Sequence, residues 1–233
     1  MAATEISDRL TAVRQRIARA AARAGRDPAE ITLIAVTKTQ PVETIREAIA
    51  AGLTIFGENR VQEWESKRAD FSDAAVRCHL IGHLQSNKAR KAAAIFDRVD
   101  SLDSIPLAHR LDTAAGEEAK RLGVLIEVHL SGEDSKSGVA EPDLDALTNA
   151  VRGFTNLKLE GLMTVPPYFE DAENVRPYFR RLRDLRENLR ARTGLTLPVL
   201  SMGMSHDFEV AIEEGATEVR VGSALFGERA KKL

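Results

Sequence analysis

Apolar positions along this chain recur with two alternating periods. Over 4–24, Ile6, Leu10, Val13, Ile17 and Ala21 fall at helical spacing, and Gly25 is a natural stop. The next run, ITLIAVTK at 31–38, is short and β-rich. Pro41 and the VETIREAIAAG pattern then predict a helix that ends at Gly52. This alternation continues to the end of the chain. Strands are expected at 54–59, 76–84, 98–103, 124–131, 157–165, 198–203 and 218–227, with helical patterns between them. Eight strands alternating with helices predict an α/β fold, a single-domain (β/α)8 TIM-like barrel over 1–233. Residues 1–30 form an extra N-terminal helix packed on that barrel. A doubly wound open sheet is the alternative.

Composition narrows the function classes. Lys and Arg number 33 against 35 Asp and Glu, so net charge does not point to nucleic acid or an anionic membrane as partner. Aromatics are 5% of the chain, which supplies few stacking platforms for single-stranded nucleic acid. The single Cys78 cannot form an internal disulfide, and no apolar run nears the ~20 residues of a membrane helix. With no secretory signal, the expected location is the cytoplasm.

The candidate chemistry gathers at the expected strand ends, which in a barrel face the active site. Lys38 closes the first strand, where partial desolvation favours the neutral amine that Schiff-base chemistry needs. Asn59 and Arg60 lie in FGENRVQE at the second strand end; Asn59 is a ligand contact or a helix N-cap. His79 and His83 have zinc-like spacing, but they sit in a strand and loop with no third ligand, so no metal is expected. Lys136 stands in the polar loop HLSGEDSKSG, as a solvated residue or within reach of an incoming phosphate. Met163 and Thr164 are expected at the mouth, and Trp64 in packing. Near the C-terminus, SMGMS offers Ser205 as an N-cap beside free backbone N–H groups, a ready anion site. Arg220, Gly222 and Ser223 complete it. A buried Arg220 cannot shed its proton to suit its site, so it needs a fixed acceptor.

Taken together, AVTK, FGENRVQE, HLIGHLQSNK, GLMTVPP, SMGMSHDFEVAIEEG and VRVGSALFG resemble the pyridoxal phosphate homeostasis proteins, single-domain relatives of the alanine racemase barrel. The resemblance spans almost the whole chain. It implies pyridoxal 5′-phosphate (PLP) bound as an aldimine at Lys38, with phosphate contacts from Ser205, Gly222 and Ser223. It places Arg220 at the pyridine nitrogen and Asn59, His79 and Met202 near the ring. Lys136 matches a lysine linked to cofactor handling, and Lys231 and Lys232 match basic C-terminal residues. Arg60 departs from the Tyr often found there in the family.

A cation facing the pyridine nitrogen keeps it unprotonated and weakens the ring as an electron sink. Racemases of this barrel carry the same Arg, but draw a second acid/base from an added domain and a dimer partner. The chain is expected to end with its barrel, and its tyrosines, Tyr168 and Tyr178, to fall in or beside the sixth barrel helix. The expectation is therefore a monomeric PLP carrier that buffers the cofactor or passes it to apoenzymes. A racemase-like enzyme and a sugar-phosphate barrel with Lys38 as Schiff base are the competing readings.

Overall fold

The computed structural model describes residues 3–130 and 137–227. Nine strands follow in chain order: β1 Thr32–Val36, β2 Ile55–Glu58, β3 Arg77–Leu80, β4 Arg98–Leu102, β5 Leu122–His129, β6 Val139–Ala140, β7 Leu157–Met163, β8 Val199–Ser201 and β9 Glu218–Val221. All pair in parallel. The order β4-β3-β2-β1-β9-β8-β7-β5 closes on itself through a β4–β5 pairing. This is a closed eight-stranded parallel barrel with surrounding helices. The two-residue β6 lies outside the ring, paired to the end of β5.

Strand pleating sorts the side chains into two populations. Ala35, Phe56, Leu80, Val99, Leu200, Val219 and Val221 face outward and pack under the helices in one continuous apolar core. Ile34, His79, Arg98, Asp100, Ser201, Glu218 and Arg220 have the opposite parity and are buried inside the ring. Gly57 belongs to the inward set, where a Cβ would meet Ile34 Cγ2 at 2.8 Å and Ile81 Cδ1 at 3.0 Å.

The helix Ala3–Arg23 lies across the barrel's flank. Ile6, Leu10, Val13 and Ile17 are buried at the helical spacing read from the sequence. On its polar side Arg16 makes two bonds to Glu209, 2.6 and 2.8 Å, and its guanidinium lies 4.3 Å above the Phe208 ring. No described helix is long and apolar enough to cross a membrane.

Two local expectations change. The run expected as a strand at 218–227 stops at Val221, and Ser223–Phe226 turns helical. Leu225 and Phe226 are buried this way, and the Phe226 N–H donates back to Gly222 O at 2.9 Å. Lys38 stands in a turn beyond β1 rather than inside the strand.

Gly161 has no room for a side chain, since a Cβ there would sit 1.8 Å from Val199 O on β8. Gly161→Ala is expected to cost at least about 2 kcal/mol of stability, read from the urea midpoint. An unchanged midpoint would mean that β7 and β8 do not approach this closely.

Candidate functional site

The C-terminal ends of the strands open onto a cavity of ≈ 320 Å³, within the range of small-molecule sites. Six residues picked out from the sequence line it: Lys38, Asn59, Ser205, Arg220, Gly222 and Ser223. Arg220 stands on β9 itself and the others just beyond β1, β2, β8 and β9, four strands that are consecutive neighbours in the sheet, so strand pairing brings them together.

Arg220 forms the cavity's inner wall and is 4% exposed. Its Nη1 donates to Ser201 Oγ at 2.8 Å and its Nη2 to Thr164 O at 2.9 Å. These are the fixed acceptors that a buried guanidinium needs. Burial pulls the Arg220 pKa down, while Glu218, Asp100, Glu127 and Asp207 oppose that pull. Arginine nonetheless keeps its charge in such surroundings.

The carboxylates beneath it are spoken for. Arg98 Nε donates to Asp100 at 2.6 Å and its Nη2 to Glu218 at 2.6 and 2.7 Å. Burial alone would lower the Arg98 pKa, but these two partners outweigh it and hold it high. His79, Asp100 and Glu218 lie close enough together to suggest a metal site, yet the guanidinium of Arg98 already occupies both carboxylates.

The loop after β8 supplies the polar end of the cavity. Gly203, at φ 92°, starts it, and a Cβ there would meet Ala211 Cβ at 2.6 Å and Phe208 Cα at 2.9 Å. That combination requires glycine. The helix then begins at Phe208 with Asp207 as its cap residue, so Ser205 is not the N-cap. The Asp207 carboxylate instead receives the Met204 N–H at 2.6 Å. Ser205 is thereby left to face the next strand end. Its Oγ accepts the N–H groups of Gly222 at 3.1 Å and Ala224 at 3.3 Å. Because that oxygen accepts, its own hydrogen is available to an anion in the cavity. Arg16 of the N-terminal helix also reaches Ser205 O at 3.3 Å, which ties the extra helix to this loop.

Comparison with known proteins fits this geometry. The family model for the alanine racemase N-terminal domain matches residues 9–230. The pyridoxal phosphate homeostasis protein of Aquifex aeolicus is 47% identical over 95% of this chain and 97% of that protein. The chain belongs to the pyridoxal phosphate homeostasis protein family.

The solved structure of PipY from Synechococcus elongatus PCC7942 with PLP bound superposes with a TM-score of 0.86 at 39% identity. It covers 95% of this chain and 100% of PipY. Alanine racemase of Clostridium difficile superposes with a TM-score of 0.74 over 98% of this chain and 58% of its own. At 13% identity that likeness concerns the fold alone.

Two residues that the homeostasis-protein resemblance puts near the ring are not among those that line the cavity. Met202 is fully buried in the outer core, because it follows Ser201 on the strand and the pleat turns it outward. Met204 lines the cavity instead. His79 has inward parity but sits one layer deeper, with Nδ1 3.9 Å from Asp100 Oδ2; Ile81, two residues on, lines the cavity. His83 is exposed and pairs with Asp103 at 3.3 Å. Thr164 is buried, giving its carbonyl to Arg220, and Met163 is buried as well. Trp64 stacks on Phe71 at 5.9 Å and donates to Ile95 O at 3.0 Å, a packing role. Arg60 lies outside this cavity, on a neighbouring concavity that shares Asn59 with it. Lys136, Lys231 and Lys232 fall outside the described residues.

His79 carries a pH signature. Burial lowers its pKa from 6.5 to about 4, and no described group hydrogen-bonds Nδ1. The folded state therefore favours neutral His79. Its contribution to stability is complete above pH ~6.5 and is lost as pH falls toward 4. Between about pH 7 and pH 5 the wild type should lose about 2 kcal/mol more in urea unfolding than His79→Gln. Identical losses would place the titrating group elsewhere.

Proposed function

We propose that this protein binds PLP in the cavity at Lys38 and serves the supply of that cofactor, buffering it and delivering it, without turning over amino acids. The observation that carries the proposal is the buried guanidinium of Arg220 in the wall of a cavity that Lys38, Ser205, Gly222 and Ser223 also line. The donor set fits the cofactor at three points. Lys38 is a half-buried amine at the cavity, suited to condense with the aldehyde with loss of water. The Ser205 hydroxyl, its oxygen held by the Gly222 and Ala224 N–H groups and its hydrogen left to donate, suits a phosphate. Arg220 can only donate, so it suits an unprotonated ring nitrogen. The names of the relatives and the PLP bound in PipY support the same choice.

When bound, PLP offers an aldehyde carbon and a ring that draws electrons strongly once its nitrogen is protonated. Arg220 has no proton-accepting atom, and its charge disfavours a second cation at that nitrogen. This residue thus holds the cofactor while muting the chemistry of the ring. A monomer acting in the cytoplasm, in contact with PLP-dependent apoenzymes, completes the reading.

One observation favours the competing racemase-like reading. Tyr168, 77% exposed, lies in the loop beyond β7 with its ring 5.3 Å from that of His206, a cavity-lining residue. That pair is a potential acid/base at the mouth.

The purified protein with PLP is expected to absorb near roughly 420 nm, and borohydride should fix the cofactor onto Lys38. Lys38→Ala should abolish both. Incubation with L- or D-alanine should leave chirality unchanged. Racemisation that Tyr168→Phe removes would establish the enzyme reading. A wild type that PLP cannot colour would sink the cofactor assignment.

A further inference from the structure

The turn that carries Lys38 is held in a conformation it would not choose. Thr39, immediately after it, has φ 66°, a region that β-branched residues avoid. A set of charged side chains from β2 and the helix Val61–Lys67 engages both neighbours of Lys38. The Thr39 N–H donates to Glu63 Oε1. On the other side, Thr37 Oγ1 donates to Glu58 Oε1 at 2.8 Å. Lys67 joins the two halves: its Nζ lies 2.8 Å from Glu63 Oε1 and 3.4 Å from both Glu58 Oε1 and Thr37 O.

This assembly is costly in itself. Glu58 is fully buried, its Oε2 has no hydrogen-bond partner among the described residues, and the Lys67 side chain is only 12% exposed. Buried ion pairs of this kind generally stabilise no more than apolar side chains of the same size would. What apolar residues cannot do is fix the two peptide groups that flank Lys38. The FGENRVQE motif thus contributes more than Asn59: Glu58 and Glu63 face the Lys38 turn, with Lys67 one helical turn beyond Glu63.

We propose that Glu58, Glu63 and Lys67 are positioning residues that aim the Lys38 amine into the cavity. The inference rests on the reading of Lys38 as the PLP-binding amine. It concerns the retention and orientation of the cofactor, which a merely structural brace would leave unchanged.

The test compares wild type with Lys67→Met, Lys67→Arg and Glu63→Ala, each loaded with PLP. The first readout is the dissociation constant; the second is the visible circular dichroism of the bound chromophore, which reports its fixed orientation. Arg176→Ala serves as stability control, because Arg176 bonds Glu173, Glu213 and Glu214 and none of the four lines the cavity. Lys67→Met and Glu63→Ala should weaken binding by about tenfold and diminish the dichroic band. Lys67→Arg should restore much of both, while Arg176→Ala should lower the melting temperature and leave the band intact. Should Lys67→Met fail to fold, Glu63→Ala decides, since Glu63 is nearer the surface. Folded variants with wild-type affinity and dichroism overturn the proposal. A wild type in which borohydride fixes no PLP at all overturns the reading of Lys38 beneath it.

Discussion

Everything near the cavity depends on keeping one guanidinium buried. Arg220 points into a closed ring of strands where water cannot solvate it, and its charge is permanent. The ring answers in two ways. Ser201 and the Thr164 carbonyl take its hydrogen bonds, and carboxylates one layer away balance its charge. Those carboxylates would be intolerable alone, so Arg98 binds Asp100 and Glu218 at once. A barrel interior usually filled by branched apolar side chains is here an ordered stack of charges. Its lower layer makes the upper one affordable, and the upper one faces the cavity.

The cavity's other walls are built from loops that the rest of the molecule restrains. Gly203 permits the turn that frees Ser205 from helix capping, and Ser205 then organises the backbone after β9. The N-terminal helix, which looks peripheral, grips this same loop through Arg16. At the end of β1, next to β9, the Lys38 turn is fixed between Glu58 and Glu63. The Lys38 turn and the Ser205 loop are therefore set by separate supports, each anchored to secondary structure, as a site of defined geometry requires.

The sequence made the ring of strands legible, because βα alternation survives errors at individual element ends. Six cavity residues were legible too, because strand tips carry chemistry in a barrel. What escaped the reading depends on side-chain direction. Met202 and Ser201 are adjacent, and only the pleat decides which one sees the interior. Ser205 reads as an N-cap by residue type, yet Asp207 two positions later takes that place. The inner charge stack did leave a trace, since Arg98 and Asp100, like Glu218 and Arg220, alternate with valine along strands. Glu58, Glu63 and Lys67 left none. Glu63 and Lys67 on a short helical pattern resemble a solvated face, Glu58 at a strand end resembles part of an ordinary βα turn, and only the folded structure turns them toward Lys38.

The central claim, that Arg220 sets the character of the site, is tested most directly by the protonation state of the cofactor's ring nitrogen. PLP labelled with nitrogen-15 at that position, bound to the protein and observed by NMR, reports it without reference to turnover. The account predicts the chemical shift of an unprotonated pyridine across the neutral pH range, moving toward the protonated value when Arg220 is replaced by Glu. A protonated nitrogen in the wild type would contradict it, and with it the view that this barrel holds PLP while restraining its chemistry.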